Sequence, residues 1–430
     1  MTVPKRASFD VLIVGAGLAG SAAAIQLARA GWSVALVERQ RFPRRKVCGE
    51  CLAASNLPLL EALGVADAFH ALAGPALRRV SLCHGGQAVS ADLPPAAGER
   101  HPWGRALGRE TLDGLLLEAA RAAGASVFQP WAVQSIIGAP GAWHCELRVP
   151  ESATLLKLRA GVVVDAHGCW EDLPTDRPQR RLARSAGDLF AFKANFKAAA
   201  LPEGVISVLA LTGGYGGMVV ADGGTTTVAC CIRRDRLNAL RIAAPGLRAG
   251  DAVEAWLRRE NAGVRAALRD AVRDEHWLSA GPLKPGVHLA AGDGIFKIGN
   301  AAGEAHPILG EGMSMALQSA ALLGAVLLGP GGNAPAADGA SQAVLLRRYA
   351  AAWRQAFIPR VRLAAGFAHL AMSPRGAPAL MTVLRVWPGL LTRGARWGGK
   401  VRVAAAPTAS PLDGAALHGA ANPAPLQEPT

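Results

Sequence analysis

No segment of this 430-residue chain reaches the roughly 18 uninterrupted apolar residues that a membrane-spanning helix needs. The nearest stretch, residues 315–328, is interrupted by Gln318 and Ser319 and predicts a buried helix. A cleavable signal sequence is also missing before the first apolar run, because residues 1–10 are short and polar. These absences predict a cytoplasmic protein, soluble or attached only to a membrane surface, with its cysteines as free thiols.

Acidic residues are scarce, and between residues 351 and 410 they are absent. The whole chain carries 46 Lys and Arg against 32 Asp and Glu, a formal net charge of +14. Basic residues in that segment interleave with bulky apolar ones: Arg354, Arg360, Arg362, Arg375, Arg385, Arg393, Arg396, Lys400 and Arg402. This mixture, with no nucleic-acid-binding motif, predicts peripheral contact with an anionic membrane through residues 351–403. The alternative is a pair of packed helices with a basic solvent face.

Glycine, by contrast, is placed where a dinucleotide site needs it. Gly15, Gly17 and Gly20 follow an apolar run, a helix is predicted next, and a second apolar run ends on Glu38. Gly15 allows a sharp turn, Gly17 lets the backbone approach a pyrophosphate, and Gly20 lets helix and strand pack closely. The helix N-terminus offers N–H groups to the phosphates, and Glu38 can accept hydrogen bonds from ribose hydroxyls. The pattern predicts a nucleotide-binding βαβ unit.

A second glycine-rich passage follows an apolar strand that ends near residue 298. The small residues at 299–303 would let the backbone approach a phosphate and a polyol. Gly310 and Gly312, at a predicted helix start, would direct N–H groups at a group that becomes anionic. A reduced flavin is such a group.

Between residues 188 and 233 the pattern becomes that of antiparallel strands separated by Gly and Pro turns. A helical block is predicted around residues 252–271. Phe190, Phe192 and Phe196 in the first of these strands fit an apolar, polyketide- or quinone-like substrate.

The motifs occur in an order that resembles a known family. Residues 15–38, Arg109 at a helix start, residues 164–168 and residues 299–312 are similar to FAD-dependent oxidoreductases of the p-hydroxybenzoate hydroxylase fold. Lys46-Val47-Cys48-Gly49-Glu50 and Gly310-Glu311-Gly312 look most like the geranylgeranyl reductase branch, which is close to the flavin halogenases and monooxygenases. The resemblance covers residues 8–325. It implies an α/β fold: a Rossmann-like FAD-binding domain with an inserted antiparallel β-sheet substrate domain and a helical C-terminus.

The implied divisions of the chain are as follows. An FAD-binding domain would comprise residues 8–187, with a short excursion into the substrate domain near 76–100, and residues 276–330. An antiparallel-sheet substrate domain would occupy residues 188–275. A basic helical C-terminal region would cover 340–403, and residues 404–430 would be a disordered tail.

The resemblance implies FAD as cofactor, with NAD(P)H as a transient electron donor because no second strand-linked G-x-G-x-x-G is present. The first glycine turn would hold the adenosine, residues 299–303 the pyrophosphate and ribityl chain, and residues 307–313 the flavin ring. The expected cofactor-binding residues are Gly15, Gly17, Leu18, Ala19, Gly20, Glu38, Arg39, Lys46, Cys48, Arg109, Val133, Gly299, Asn300, Ala301, Ala302, Gly303, Pro307, Gly310, Glu311, Gly312 and Met313.

Three positions depart from the family pattern. Asn300 stands where an Asp usually bonds a ribityl hydroxyl, and Asn can still accept and donate. His167 replaces the Asp of an Ala-Asp-Gly triplet that contacts FAD and nicotinamide in the hydroxylases. Gly217 replaces the Trp that follows Tyr215 in the substrate sheet, which widens the cavity wall. The Trp-x-Trp-x-Ile-Pro signature of halogenases is absent, which weighs against halogenation.

Few side chains are candidates for catalysis, because the flavin supplies the redox chemistry. His306, next to Pro307, could handle a proton near the ring, or could bond the backbone of its turn. Tyr215 could hydrogen-bond substrate or flavin, or could simply pack. Cys48 and Cys51 form a C-x-x-C that is either a redox pair or part of the family loop, and without a second such pair a metal is not expected.

The leading function is monooxygenation of an apolar aromatic, polyketide- or quinone-like small molecule through a flavin hydroperoxide. The runner-up is a geranylgeranyl-reductase-like enzyme that saturates isoprenoid double bonds. A flavin-binding protein without turnover is the third reading, motivated by Asn300 and His167.

Overall fold

The computed structural model describes residues 7–96, 100–150, 152, 154–168, 173–175, 184–289, 292–329 and 339–395. Its strands are β1 (Ser8–Val14), β2 (Val34–Val37), β3 (Cys51–Leu52), β4 (Arg79–His84), β5 (Gln87–Asp92), β6 (Arg105–Ala106), β7 (Ser126–Phe128), β8 (Ala132–Ala139), β9 (Ala142–Arg148), β10 (Leu155–Asp165), β11 (Leu189–Lys197), β12 (Val205–Leu211), β13 (Gly214–Val220), β14 (Thr226–Arg233), β15 (Val272–Arg273), β16 (Leu278–Ala280), β17 (Gly286–Val287), β18 (Phe296–Lys297) and β19 (Gly303–Glu304).

Its helices are α1 (Leu18–Arg29), α2 (Leu57–Ala62), α3 (Ala66–Leu72), α4 (Arg109–Ala122), α5 (Arg234–Ala243), α6 (Ala249–Glu260), α7 (Ala262–Ala267), α8 (Gly312–Leu327), α9 (Gly339–Met372), α10 (Gly376–Val386) and α11 (Gly389–Ala395). Short 3₁₀ helices occur at Gly299–Ala301 and Pro307–Leu309.

The first sheet has the strand order β7-β2-β1-β10-β9-β8, with β18 also paired to β10. Strands β7, β2, β1, β10 and β18 run parallel, whereas β9 and β8 extend the sheet antiparallel. One face packs against α1, α4 and α8, which explains why β1 and β2 are nearly continuous apolar runs. Both predicted glycine segments follow parallel strands at their carboxyl ends, the usual place for a nucleotide.

The β8–β9 hairpin of this sheet was not expected from the sequence. Its pairing register shifts between Val133 and Ser135, which interrupts the alternation that would have identified the strand. Beyond the shift, only every second side chain of the hairpin is buried. These are Ile136 in β8 and Trp143, Cys145 and Leu147 in β9.

The second sheet has the order β15-β11-β14-β13-β12-β4-β5, with β16 also paired to β11. All neighbours are antiparallel except β12 and β4. Strands β4 and β5, from the stretch near 76–100, therefore lie beside strands that come more than a hundred residues later. Strand β16 continues the sheet past residue 275, the boundary predicted for it.

The two faces of β11 are unlike one another because side chains alternate along a strand. Phe190, Phe192 and Phe196 pack with α5, α6 and α7 in a separate apolar cluster, so the prediction that they fit a substrate is wrong. Ala191 and Lys193 project from the opposite face, toward the first domain.

Helix α5 was also missed, because its amphipathic stripe is short: only Leu237 and Leu240 are buried. Helices α9, α10 and α11 form the predicted helical C-terminus, and α9 contacts both α8 and strands of the second sheet. None of the helices among the described residues is long and apolar enough to cross a membrane. Residues 396–403 of the predicted basic region and the predicted tail 404–430 lie outside the described residues.

Candidate active site

The first glycine turn is packed so tightly that larger residues cannot replace two of its glycines. A Cβ on Gly20 would lie 1.8 Å from the carbonyl oxygen of Gly15, and one on Gly15 would lie 2.6 Å from that of Ala166. Gly15 also has a positive φ of 103°. Helix α1 therefore starts directly over the ends of β1 and β10, which fixes where its N-terminal N–H groups point.

The second glycine segment meets this turn. A Cβ on Gly299 would lie 3.1 Å from Cβ of Ala19 in α1, and the Gly299 N–H donates to Oγ of Ser319 in α8 at 2.8 Å. Residues of both segments line one cavity of about 460 Å³. This is a usual size for a ligand site. Two stretches almost 300 positions apart in the chain thus border the same space.

Two guanidinium groups converge on the backbone of Gly17. A Cβ there would lie 3.7 Å from Nη2 of Arg109 and 3.8 Å from Nη2 of Arg44. Asp113 orients both: its carboxylate accepts from Nε of Arg109 at 2.8 Å, and Nη1 of Arg44 lies 3.3 Å away. Nε of Arg44 is buried without a hydrogen-bond partner among the described residues. Two forked donors beside a helix N-terminus fit a pyrophosphate.

Arg109 is nearly completely buried at the first turn of α4. Burial works to lower the pKa of its guanidinium, but Asp113 and then Cys48 outweigh this effect, and the pKa lies above its ordinary value. The side chain therefore presents a permanent positive charge to the cavity that it lines.

Glu38 lies at the end of β2, with one carboxylate oxygen accepting from the N–H of Ala16 at 3.1 Å and the other from that of Gln40 at 2.9 Å. The oxygen that accepts from Ala16 also lies 3.5 Å from Nη2 of Arg44, whereas the other oxygen keeps a further acceptor site. Glu38 is therefore fixed beside the glycine turn and can still accept from a ribose.

The end of the cavity predicted to hold the flavin ring is bordered by Pro307, Gly310, Gly312 and Met313. No atom of the described residues lies within 4 Å of a Cβ placed on Gly310 or Gly312. Gly310 has a positive φ of 64°, and Gly312 begins α8. The backbone at the helix start consequently faces open space, as a planar ring laid against it requires.

A buried ionic cluster joins the two domains at the cavity wall. Glu50 accepts from Nζ of Lys193 on β11, from Oγ1 of Thr227 on β14 at 2.6 Å, and from the N–H of Arg109 at 3.0 Å. Lys193 and Glu50 are each 2% exposed. Because Glu50 lines the cavity, this cluster ties the second sheet to the start of α4 and so helps to position Arg109.

Tyr215 and His306 form a second polar group at the wall. The Tyr215 hydroxyl lies 3.2 Å from Nδ1 of His306, and the ring of His369 is centred 5.5 Å from that of His306. Burial, followed by Cys231, raises the pKa of Tyr215. Burial, followed by His369, lowers the pKa of His306 to about 4. At neutral pH the phenol is protonated and the imidazole neutral, so Tyr215 can donate to Nδ1 of His306 in the tautomer that carries its hydrogen on Nε2.

His306 should make the protein less stable in mild acid. Its pKa lies below the ordinary value of 6.5, so between pH 6.5 and 4 the unfolded chain binds a proton that the folded chain does not. We expect this residue alone to remove about 3 kcal/mol of the free energy of unfolding across that range. Urea titrations of the wild type and His306→Asn as a function of pH measure it. Equal acid slopes in the two proteins would contradict this account.

Cys48 and Cys51 both line the cavity. Cys48 lies beside Arg109, and its sulfur accepts from the N–H of Glu50 at 3.4 Å. Cys51 is in the short strand β3, paired with β6.

The cavity brings together most of the residues that the sequence predicts. Those lining it are Gly17, Leu18, Ala19, Lys46, Cys48, Arg109, Tyr215, Gly299, Asn300, Pro307, Gly310, Gly312 and Met313. Gly15, Gly20 and Glu38 belong to the glycine turn and its surroundings but do not line the cavity, and Arg39 is exposed next to Glu38. Ala301, Ala302 and Gly303 lie under the cavity floor, and a Cβ on Gly303 would be 2.5 Å from the ring of Trp353.

Two predicted residues lie elsewhere. Val133 is in β8 and packs against the apolar cluster of Trp131 and Trp143, outside the cavity. Glu311 is completely buried and faces Arg360 of α9, with its carboxylate 3.3 Å from Nη2. The ion pair between Glu311 and Arg360 therefore connects α9 to the start of α8.

Sequence reasoning missed Lys193 and Thr227, and it missed the position of Arg44. The run of Arg44, Arg45 and Lys46 predicts a site for NAD(P)H phosphates or a diphosphate substrate, or else a solvated basic loop, and nothing local shows that Arg44 folds back onto Gly17. A signal for Lys193 was present: a lysine on the small-residue face of an otherwise apolar strand implies a buried partner.

The family model described as FAD binding domain matches residues 8–352, and the chain belongs to this family. It is similar to a menaquinone reductase of Mycolicibacterium smegmatis, 50% identical over 58 residues that make up 14% of each protein. It is also similar to a tryptophan 2-halogenase of Chondromyces crocatus, 26% identical over 340 residues, which cover 74% of this chain and 60% of the relative. The chain thus aligns with less than two thirds of the length of either relative.

Solved structures share the fold. The myxobacterial chondrochloren halogenase CndH superposes with a TM-score of 0.71 at 19% identity, covering 90% of each chain. A geranylgeranyl bacteriochlorophyll reductase-like protein of Thermoplasma acidophilum gives 0.64 at 16% identity, covering 86% of this chain and 89% of the other. The predicted family resemblance and fold class are confirmed. The protein is an FAD-binding protein of this family.

Proposed function

We propose that this flavoprotein is a monooxygenase that hydroxylates an apolar aromatic, polyketide- or quinone-like small molecule. The observation that carries the proposal is the composition of the one cavity that both glycine segments border. Beyond the flavin-ring end, its walls are side chains such as Val80, Leu82, Ile206 and Met218, with the bare backbone of Gly216 and Gly217 between them. Such a wall admits a bulky apolar molecule and excludes water from the reacting centre.

In this proposal Arg44, Arg109 and the backbone of Gly17 would hold the pyrophosphate of FAD, and Glu38 would hold the adenosine ribose. Pro307, Gly310 and the N–H groups at the start of α8 would hold the flavin ring. FAD bound there in its reduced form would supply the two electrons needed to convert O₂ into a substrate hydroxyl and water. NAD(P)H is the proposed external donor of those electrons, as a transient visitor.

Tyr215 and His306 are proposed to move the substrate's proton. Tyr215 lines the cavity, and its hydroxyl lies 3.2 Å from Nδ1 of His306, whose imidazole is neutral at neutral pH. In the tautomer that carries its hydrogen on Nε2, Nδ1 is an acceptor. A proton taken from a substrate hydroxyl at Oη of Tyr215 can pass to Nδ1. His369 is exposed and stands next to His306, so it connects this pair with solvent.

Replacing Tyr215 with phenylalanine should lower kcat about 100-fold and leave KM nearly unchanged, the usual contribution of a positioned acid or base. Steady-state kinetics with a reactive naphthol measure it. Tyr349→Phe is the matched control, because Tyr349 is the only other tyrosine and its hydroxyl donates to the carbonyl of Lys297. An unchanged kcat in Tyr215→Phe, with full FAD occupancy, would exclude the proton role.

Isotope transfer tests the reaction itself. The FAD-loaded protein is reduced with dithionite and mixed with ¹⁸O₂ and a panel of naphthols and hydroxyquinones. The masses of the products are then measured by mass spectrometry. Monooxygenation predicts one labelled oxygen atom in the product and none when the label is in water. Label-free reoxidation of the flavin, with every substrate unchanged, would contradict the proposal and leave a flavin-binding protein without turnover.

Reduction of isoprenoid double bonds is the second candidate. The observation that favours it is the extension of the cavity to Leu380, Leu384 and Leu391, far enough to take a hydrocarbon chain. The similarity to a protein named menaquinone reductase is in keeping with such a substrate. An experiment without oxygen distinguishes the two candidates. Under argon, the reduced protein should saturate the double bonds of geranylgeraniol if it is a reductase, and it should leave geranylgeraniol unchanged if it is a monooxygenase.

A further inference from the structure

Exposed apolar side chains are concentrated on the C-terminal helices. Val383 and Val386 lie about one helical turn apart on the outer side of α10, Trp387 follows directly after the helix, and Leu390 of α11 continues the row. Val386 and Trp387 are 64% and 63% exposed. We call these four residues and Leu363 of α9 the docking face. A row with this spacing would normally be buried against another surface.

The same region is rich in positive charge. Arg362, Arg375, Arg385 and Arg393 are exposed, and no Asp or Glu occurs between residues 351 and 410. From another element, β5 brings Asp92 to α11, but its carboxylate lies 3.5 Å from Nε of Arg79. Arginines around an exposed tryptophan and aliphatic row match the boundary between anionic headgroups and acyl chains.

The cavity opens onto this face. Leu363 and Leu390 are 36% and 38% exposed, and both also line the cavity. Just inside them, Phe367, Leu384 and Leu391 continue the apolar lining. A molecule that enters between Leu363 and Leu390 therefore meets only apolar side chains on its way to the flavin-ring end.

We propose that the docking face seats on an anionic lipid surface, so that a lipid-dissolved substrate enters the cavity directly from the bilayer. The arginines bind the headgroups, while Val386 and Trp387 insert among the upper acyl chains. The seating needs no turnover, so it stands or fails independently of the reaction proposed above.

Sedimentation of the FAD-loaded full-length chain with vesicles tests the proposal. We expect binding to vesicles in which a third of the lipid is phosphatidylglycerol and little binding to pure phosphatidylcholine. Arg385→Gln/Arg393→Gln should weaken binding about 20-fold, since each arginine near an anionic surface contributes roughly fivefold. Val386→Ser/Trp387→Ser should weaken it at least tenfold without changing the salt dependence.

Ile242→Ser is the matched control, because Ile242 on α5 is 81% exposed and lies in the other domain. It should bind vesicles as the wild type does. Equal binding of all variants, or equal binding to both kinds of vesicle, overturns the proposal. It is also overturned if the wild type ignores vesicles and self-associates in a way that the Val386→Ser/Trp387→Ser variant does not, which would make the face an interface between copies of the chain.

Discussion

Replacing Lys193 with methionine should lower the free energy of unfolding by about 3–5 kcal/mol, the usual cost of removing one partner of a buried ion pair. Lys193 and Glu50 are almost completely shielded from water, and without the ammonium group Glu50 keeps only the donors from Thr227 and Arg109. Urea unfolding of the apoprotein and of the FAD-loaded protein measures the loss.

The control for this prediction is on the same strand. Lys197 pairs with Asp274 at 2.8 Å, but its side chain is 66% exposed, so Lys197→Met should leave the free energy of unfolding nearly unchanged. The double variant Lys193→Met/Glu50→Gln should recover most of the stability, because no uncompensated charge stays buried. A loss in Lys193→Met as small as in Lys197→Met would show that the pair does not join the domains as described.

Replacing Arg44 with methionine should weaken FAD binding about 10- to 100-fold. A hydrogen bond from a guanidinium to a charged group contributes roughly 1.5–3 kcal/mol, and each 1.4 kcal/mol is tenfold in affinity. Nη2 of Arg44 stands over Gly17, and its Nε has no partner among the described residues. Fluorescence titration of the apoprotein with FAD measures the change.

Arg45→Met is the adjacent control: Arg45 is largely buried, but it pairs with the exposed carboxylates of Glu110 and Glu275 and should leave the FAD affinity within a factor of two. Arg109→Lys is a useful companion: it keeps the charge beside Asp113 but loses the forked geometry, and we expect an intermediate loss. If Arg44→Met and Arg45→Met bind FAD equally well, the pyrophosphate is not held between Arg44 and Arg109.

The parts of the fold that the sequence predicts are those whose physical cause is local. The turn at Gly15 and Gly20 could be identified because only glycine fits there, and α4 and α8 because their apolar periodicity and starts are clear. The β8–β9 hairpin could not be identified, because a register shift interrupts the alternation of apolar residues in β8. Helix α5 could not be identified either, because only two of its apolar residues form the buried stripe.

The site shows the same division. Residues whose backbone forms the cavity, such as Gly17 and Gly312, were predicted because glycine spacing is a local property. Arg44 and Lys193 were missed because their roles depend on which distant residue they meet. The three phenylalanines of β11 were assigned to the wrong face of the strand. The alternation of side chains shows that they share one face, but it does not show which of the two faces borders the cavity.

The central claim is that two distant glycine segments hold one dinucleotide, and parallel titration of the apoprotein with FAD and FMN tests it most directly. The account predicts one FAD per chain and FMN binding at least about 100-fold weaker, because FMN lacks the adenosine half that the first glycine turn and Glu38 would hold. Equal affinity for FAD and FMN, or no binding of FAD, would contradict it.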